Sequence, residues 1–123
     1  MNEKILIVED EEDLRKALEI RLKQHNFRVI MSKDGEDGLK KAKEEFPDLI
    51  ILDVVLPKMS GFEACHRLKA DPEYKHIPVL MLSIKSSEDA VKKGYENGTD
   101  EYITKPFDWP FLFEKIKSLL SKK

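Results

Sequence analysis

Five apolar runs of strand length, each followed by a stretch of helical periodicity, leave this chain few architectures. Residues 4–9, Phe27 to Met31, Asp48 to Asp53, Val79 to Ser83 and Glu101 to Thr104 read as strands. The apolar runs are nearly continuous, as required of parallel strands whose two faces are both covered by helices. Between them, Leu14, Leu18 and Leu22 mark one face of a helix over 11–25. Leu39, Ala42 and Phe46 are expected to face inward from a helix over 35–46 that Asp34-Gly35 opens and Pro47 ends. Ser60-Gly61-Phe62-Glu63 has the form of a capping box, with Ser60 accepting an amide hydrogen and Glu63 reaching back, so a helix should cover 61 to about 70. Ser86, with Asp89 three residues on, predicts the start of a fourth helix, which Asn97-Gly98 stops. Phe111, Leu112, Ile116, Leu119 and Leu120 give a fifth helix over 108–121 its apolar side. A βα unit repeated five times with right-handed crossovers makes a doubly wound α/β fold around a five-stranded parallel sheet. Neither an internal repeat nor a linker interrupts it, and 123 residues suit one domain, expected over 1–123.

In a doubly wound sheet, ligands bind outside the carboxyl ends of the strands. Glu9 and Asp10 stand at that end of the first strand, Asp53 ends the third, Ser83 the fourth, and Lys105 follows the fifth. Converging carboxylates repel one another, at a cost of several kcal/mol in a partly dry cleft, unless a cation compensates. Oxygen-only ligands suit Mg²⁺, and Lys105 can hold a fixed positive charge towards phosphate oxygens. The pattern therefore predicts a Mg²⁺-dependent phosphoryl-accepting site.

The rest of the composition excludes more than it suggests. With 22 Lys plus Arg against 24 Asp plus Glu, the net charge is −2, so no global field favours direct nucleic-acid binding or an anionic membrane. One cysteine, Cys65, cannot form an internal disulfide and reads as a small core residue. No apolar run reaches the 18–20 or so residues of a membrane span, and no secretory leader precedes the first strand, so membrane insertion is not expected and a cytoplasmic location is. His25, His66 and His76 lack a second ligand at metal spacing and are expected in solvent.

Four strings in order, ILIVED, DLIILDVVLPKMSGFE, PVLMLS and GTDEYITKPF, resemble the receiver domain of two-component response regulators over essentially the whole chain. The resemblance implies the flavodoxin-like strand order 2-1-3-4-5. It further implies that Asp53 accepts a phosphoryl group from a phosphohistidine on a sensor histidine kinase or histidine phosphotransfer protein. Asp10, Asp53 and the backbone carbonyl of Val55 would ligate Mg²⁺, with Glu9 acting through a water. Lys105 would pair with Asp53 at rest and with a phosphoryl oxygen afterwards, and Ser83 would donate to another. Phosphorylation would draw Ser83 inward and let Tyr102 turn in from solvent, changing the face formed by residues 86–120, where a downstream protein partner would dock. The Lys105-Pro106 bond would be cis. Kinase choice would rest on Glu12 to Lys16 and the loop after Lys105. Such a domain is a signalling phosphoacceptor that promotes its own phosphorylation and dephosphorylation, not a conventional enzyme.

Some positions depart from that family's usual pattern. Ile84 stands where Ala or Gly normally leaves room beside the phosphoryl group, while Val55 and Lys85 occupy positions that tune hydrolysis, so an altered phosphoryl lifetime is expected. Among rivals, a phosphatase of the haloacid dehalogenase kind needs an acid two residues after its nucleophile, where Val55 stands. A flavodoxin would need a Ser/Thr/Gly phosphate loop after strand one, where EDEED stands instead. A receiver-like scaffold that is never phosphorylated, or a receiver cut from a longer DNA-binding or enzymatic regulator, are the readings that keep the fold. No effector domain is expected to follow the last helix of this sequence.

Overall fold

The computed structural model describes residues 2–122. Five parallel strands, β1 (Lys4–Val8), β2 (Arg28–Ser32), β3 (Leu49–Leu52), β4 (Val79–Ser83) and β5 (Glu101–Thr104), form one sheet in the order β2-β1-β3-β4-β5. Helices α1 (Glu12–Gln24), α2 (Gly35–Glu45), α3 (Gly61–Lys69), α4 (Glu88–Glu96) and α5 (Trp109–Ser121) fill the crossovers. This is the flavodoxin-like architecture expected from the strings above.

Strand alternation sorts the apolar side chains into two cores. On one face, Leu6, Val8, Ile50, Leu52, Val79 and Met81 meet Ala42 of α2 and Ala64, Cys65 and Leu68 of α3, with Val91 of α4 packed alongside. On the other, Ile5, Ile7, Leu49, Ile51, Leu80 and Leu82 meet Leu18 and Leu22 of α1 and Leu112, Ile116 and Leu119 of α5. Truncating a fully buried leucine such as Leu80 to alanine in such a core costs roughly 2–5 kcal/mol. Cys65 lies wholly inside, and burial pushes its thiol up to about 12, which keeps it protonated and inert.

Four local expectations need correction. The N-cap of α4 is Ser87, whose Oγ accepts from the Ala90 amide at 3.1 Å; Ser86 lies one residue outside the helix. Ser60 caps α3 by accepting from Glu63 N at 3.2 Å, but Glu63 turns along the helix to Arg67 at 2.8 Å, so the capping box is one-sided. Phe46 does not face inward. It is the C-cap of α2 in the left-handed region (φ 46°), which swings its ring outward onto Tyr74, with centroids 5.0 Å apart. His25 is not free in solvent: its ring lies 4.0 Å from that of Phe113, because the end of α1 abuts α5.

Candidate functional site

The sheet's hydrogen-bond ladder runs one residue past three strand ends, and those three residues carry the charges. Glu9 N donates to Ser32 O at 3.0 Å, Asp53 N to Val8 O at 3.0 Å, and Lys105 N to Ser83 O at 2.8 Å. Each backbone is thereby fixed by its neighbouring strand before any side-chain contact is made, which brings the side chains to one edge of the sheet.

There, ligand oxygens of Glu9, Asp10 and Asp53 all lie within 4.8 Å of one another. Glu9 and Asp53 are only 3% and 5% exposed, whereas Asp10 is exposed at the mouth. Lys105 Nζ bridges the buried pair, 2.8 Å from Glu9 Oε1 and 3.2 Å from Asp53 Oδ2. The remaining carboxylate oxygens take backbone donors: Glu11 N gives to Glu9 Oε2 at 3.1 Å, and Val55 N to Asp53 Oδ1 at 3.2 Å. Lysine thus shares itself between two carboxylates, its shorter bond going to Glu9, where the sequence suggested Asp53 as its partner.

Burial raises the Glu9 pKa above the usual carboxylate value, and its bonds to Lys105 and the Glu11 amide only partly oppose this. For Lys105, burial works against the ammonium. The Glu9 hydrogen bond, together with the charges of Asp53 and Glu9, outweighs it, so the lysine pKa is raised and the group stays cationic. Three carboxylates against one ammonium leave two negative charges, which a divalent cation would cancel. These are oxygen donors only, gathered within 4.8 Å of one another, and that donor set suits Mg²⁺.

The remaining predicted residues surround this cluster. Ser83 is completely buried at the end of β4, and its Oγ accepts from Lys85 N at 3.2 Å. Val55 follows Asp53 with its side chain in solvent. Ile84 is 66% exposed, so its bulk is not packed into the cleft. The Lys105-Pro106 bond is cis. Tyr102 differs from expectation: it is 9% exposed, turned inward, with its hydroxyl donating to Lys85 O at 2.6 Å. Burial raises its pKa, helped by the Asp53 charge and opposed by the Ser83 hydroxyl.

Two supporting residues escaped the sequence reading. Arg15 reaches back from α1 to donate to Glu9 O at 2.8 Å, holding the end of β1. Gly61 begins α3 where a Cβ would collide with the Asp53 carbonyl, so only glycine lets the helix start this close to the acidic cleft. The SGF string was a signal for it. A cleft of about 420 Å³ between Glu11, Asp13 and Leu14 of the α1 side and Lys105, Pro106 and Phe107 opens beside the cluster.

Residues 5–117 match the family model for the response regulator receiver domain. The alkaline phosphatase synthesis transcriptional regulatory protein PhoP of Bacillus subtilis is 43% identical over 122 residues, 99% of this chain and 50% of that protein. The response regulator ArlR of Staphylococcus aureus is 39% identical over 97% of this chain and 53% of its own length. The chain thus spans about half the length of these curated relatives. Among solved structures, a putative response regulator from Chloroflexus aurantiacus superposes with a TM-score of 0.93 at 31% identity, covering 98% of this chain and 99% of that one. With its fold, strand order and sequence in agreement, the chain belongs to the receiver domains of two-component response regulators.

Proposed function

We propose that Asp53 is the phosphoryl acceptor, that it reacts with a phosphohistidine of a sensor histidine kinase or histidine phosphotransfer protein in the cytoplasm, and that the chain acts as one receiver unit. The observation that carries this reading is Lys105 Nζ bridging the buried Asp53 and Glu9 carboxylates inside the acidic cluster. In the transfer, an Asp53 carboxylate oxygen bonds to phosphorus as the phosphorus–nitrogen bond of the donor breaks, and the imidazole nitrogen keeps the electron pair. A carboxylate oxygen is itself the attacking atom, so no hydroxyl has to be deprotonated by a base, and alignment with charge neutralisation is the main work. Asp53 Oδ1 is held by Val55 N, while Lys105 can move its bond from Asp53 Oδ2 to a phosphoryl oxygen. The buried Ser83 hydroxyl supplies a further donor.

Glu9, Asp10, Asp53 and the Val55 carbonyl are the groups that would hold Mg²⁺, Glu9 through a water. When bound, the ion supplies positive charge opposite the developing phosphoryl charge. The same groups would promote autophosphorylation and hydrolysis. Exposed residues Glu12, Asp13 and Lys16, beside the cleft bounded by Phe107, suit contact with the donor protein. Output would pass through the face formed by residues 86–120 to a downstream protein.

Intact mass after incubation with acetyl phosphate, with and without Mg²⁺, tests the acceptor. The expected result is a Mg²⁺-dependent gain of one phosphoryl group that disappears in Asp53→Asn. Failure with both acetyl phosphate and a phosphohistidine donor would replace this reading with that of an unphosphorylated scaffold.

A further inference from the structure

Gly94 sits in the last turn of α4, three residues before the Asn97 C-cap, and the positive φ at this helix end belongs to Gly98, not to it. Glycine with a helical backbone is normally a liability, since alanine in its place orders more easily. Its surroundings supply a reason. A Cβ at position 94 would lie 2.7 Å from Tyr102 Cδ2 and 3.0 Å from Cε2, with Met81 Sδ at 3.1 Å. The tyrosine cannot slide away within its plane: its backbone is paired in β5, opposite Met81 of β4, and its hydroxyl is tied to Lys85 O at 2.6 Å. The first two close contacts fall on one edge of a rigid ring rather than on the flexible end of a side chain.

We infer that Gly94 is the notch that admits the Tyr102 ring, so that residue 94 sets the balance between inward and outward positions of this side chain. A Cβ at 94 requires either the ring or α4 to shift; a ring that gives way loses the bond from its hydroxyl to Lys85 O and turns towards solvent. The notch ties the orientation of α4 to that of β5, two of the elements on the proposed output face. Its meaning for signalling rests on the reading of Tyr102 as a switch; the notch itself does not.

The test therefore needs no phosphorylation. Tyrosine nitration by tetranitromethane, mapped by peptide mass, is followed in wild type and Gly94→Ala, with Tyr74 as the internal reference. The expected result is nitration of Tyr102 roughly tenfold faster in Gly94→Ala, with Tyr74 unchanged. A thermal-melting cycle supplies the second readout: Gly94→Ala should lower Tm in the wild-type background and raise it in Tyr102→Ala, where the ring no longer competes for the space. A Gly94→Ala protein that melts higher than wild type and nitrates at the wild-type rate would overturn the notch. Acetyl phosphate labelling of Gly94→Ala at Asp53, measured alongside, reports on the acceptor reading alone, so the two ideas fail separately.

Discussion

Lys105 stands between two buried carboxylates whose other oxygens accept from backbone amides. Taking the ammonium away while keeping the side chain's length, as in Lys105→Met, leaves Glu9 and Asp53 facing each other. Removing one partner of a buried ion pair strands the other, and we expect a loss of about 3 kcal/mol at pH 7 without divalent cation, read by urea denaturation. The pH dependence has a definite sign. Glu9 is raised above its unfolded value, so folding favours its protonated form, and the folded state gains as pH falls towards that range. Without Lys105 the rise must be larger, so the variant should recover part of its deficit between pH 7 and pH 5 while the wild type changes less. An equal deficit at both pH values would show that Lys105 acts through packing. Carboxylates at strand ends were readable in sequence because continuous apolar strands define where the sheet stops. Lysine's preference for Glu9 was not, since it depends on which of two oxygens lies nearer by a few tenths of an ångström.

At the scale of elements, the caps decide where helices begin, and adjacent serines offer the chain a choice. Ser87 takes the α4 cap, accepting from Ala90 N, while Ser86 is exposed and outside the helix. Ser87→Ala should therefore destabilise by about 1 kcal/mol, and Ser86→Ala should stay within about 0.5 kcal/mol, in thermal or chemical denaturation. The reverse ranking would restore the earlier start expected from the sequence. Strand positions were legible to within a residue, as with β2, expected from Phe27 and found from Arg28. What local pattern could not supply were contacts between elements distant in sequence. His25 meets Phe113 only once α1 and α5 lie side by side, and Phe46 turns outward because the chain needs a left-handed residue to leave α2 before Pro47. Tyr102 turns inward for a similar reason, its space being provided by a glycine eight residues earlier on another element.

The molecule as a whole divides its two cores with a single sheet, and the acidic cluster sits where that sheet ends. Because the ladder extends one residue beyond β1, β3 and β5, the amides of Glu9, Asp53 and Lys105 are bonded to the sheet itself, although their side chains form the cleft. Chemistry at this edge is thereby mounted on the most cooperative part of the protein, whereas α4 contributes only one buried residue, Gly94. Hydrogen–deuterium exchange should separate the two. The three site amides are expected to exchange as slowly as those in the middle of β3, at the rate of global unfolding, while amides of α4 exchange faster through local opening. Site amides that exchanged with α4 would place the cleft in the mobile layer. On the expected outcome, a chemical event at the cleft would be registered by a rigid frame and expressed in the helix least anchored to it, so sensing and response draw on different reserves of stability within one small domain.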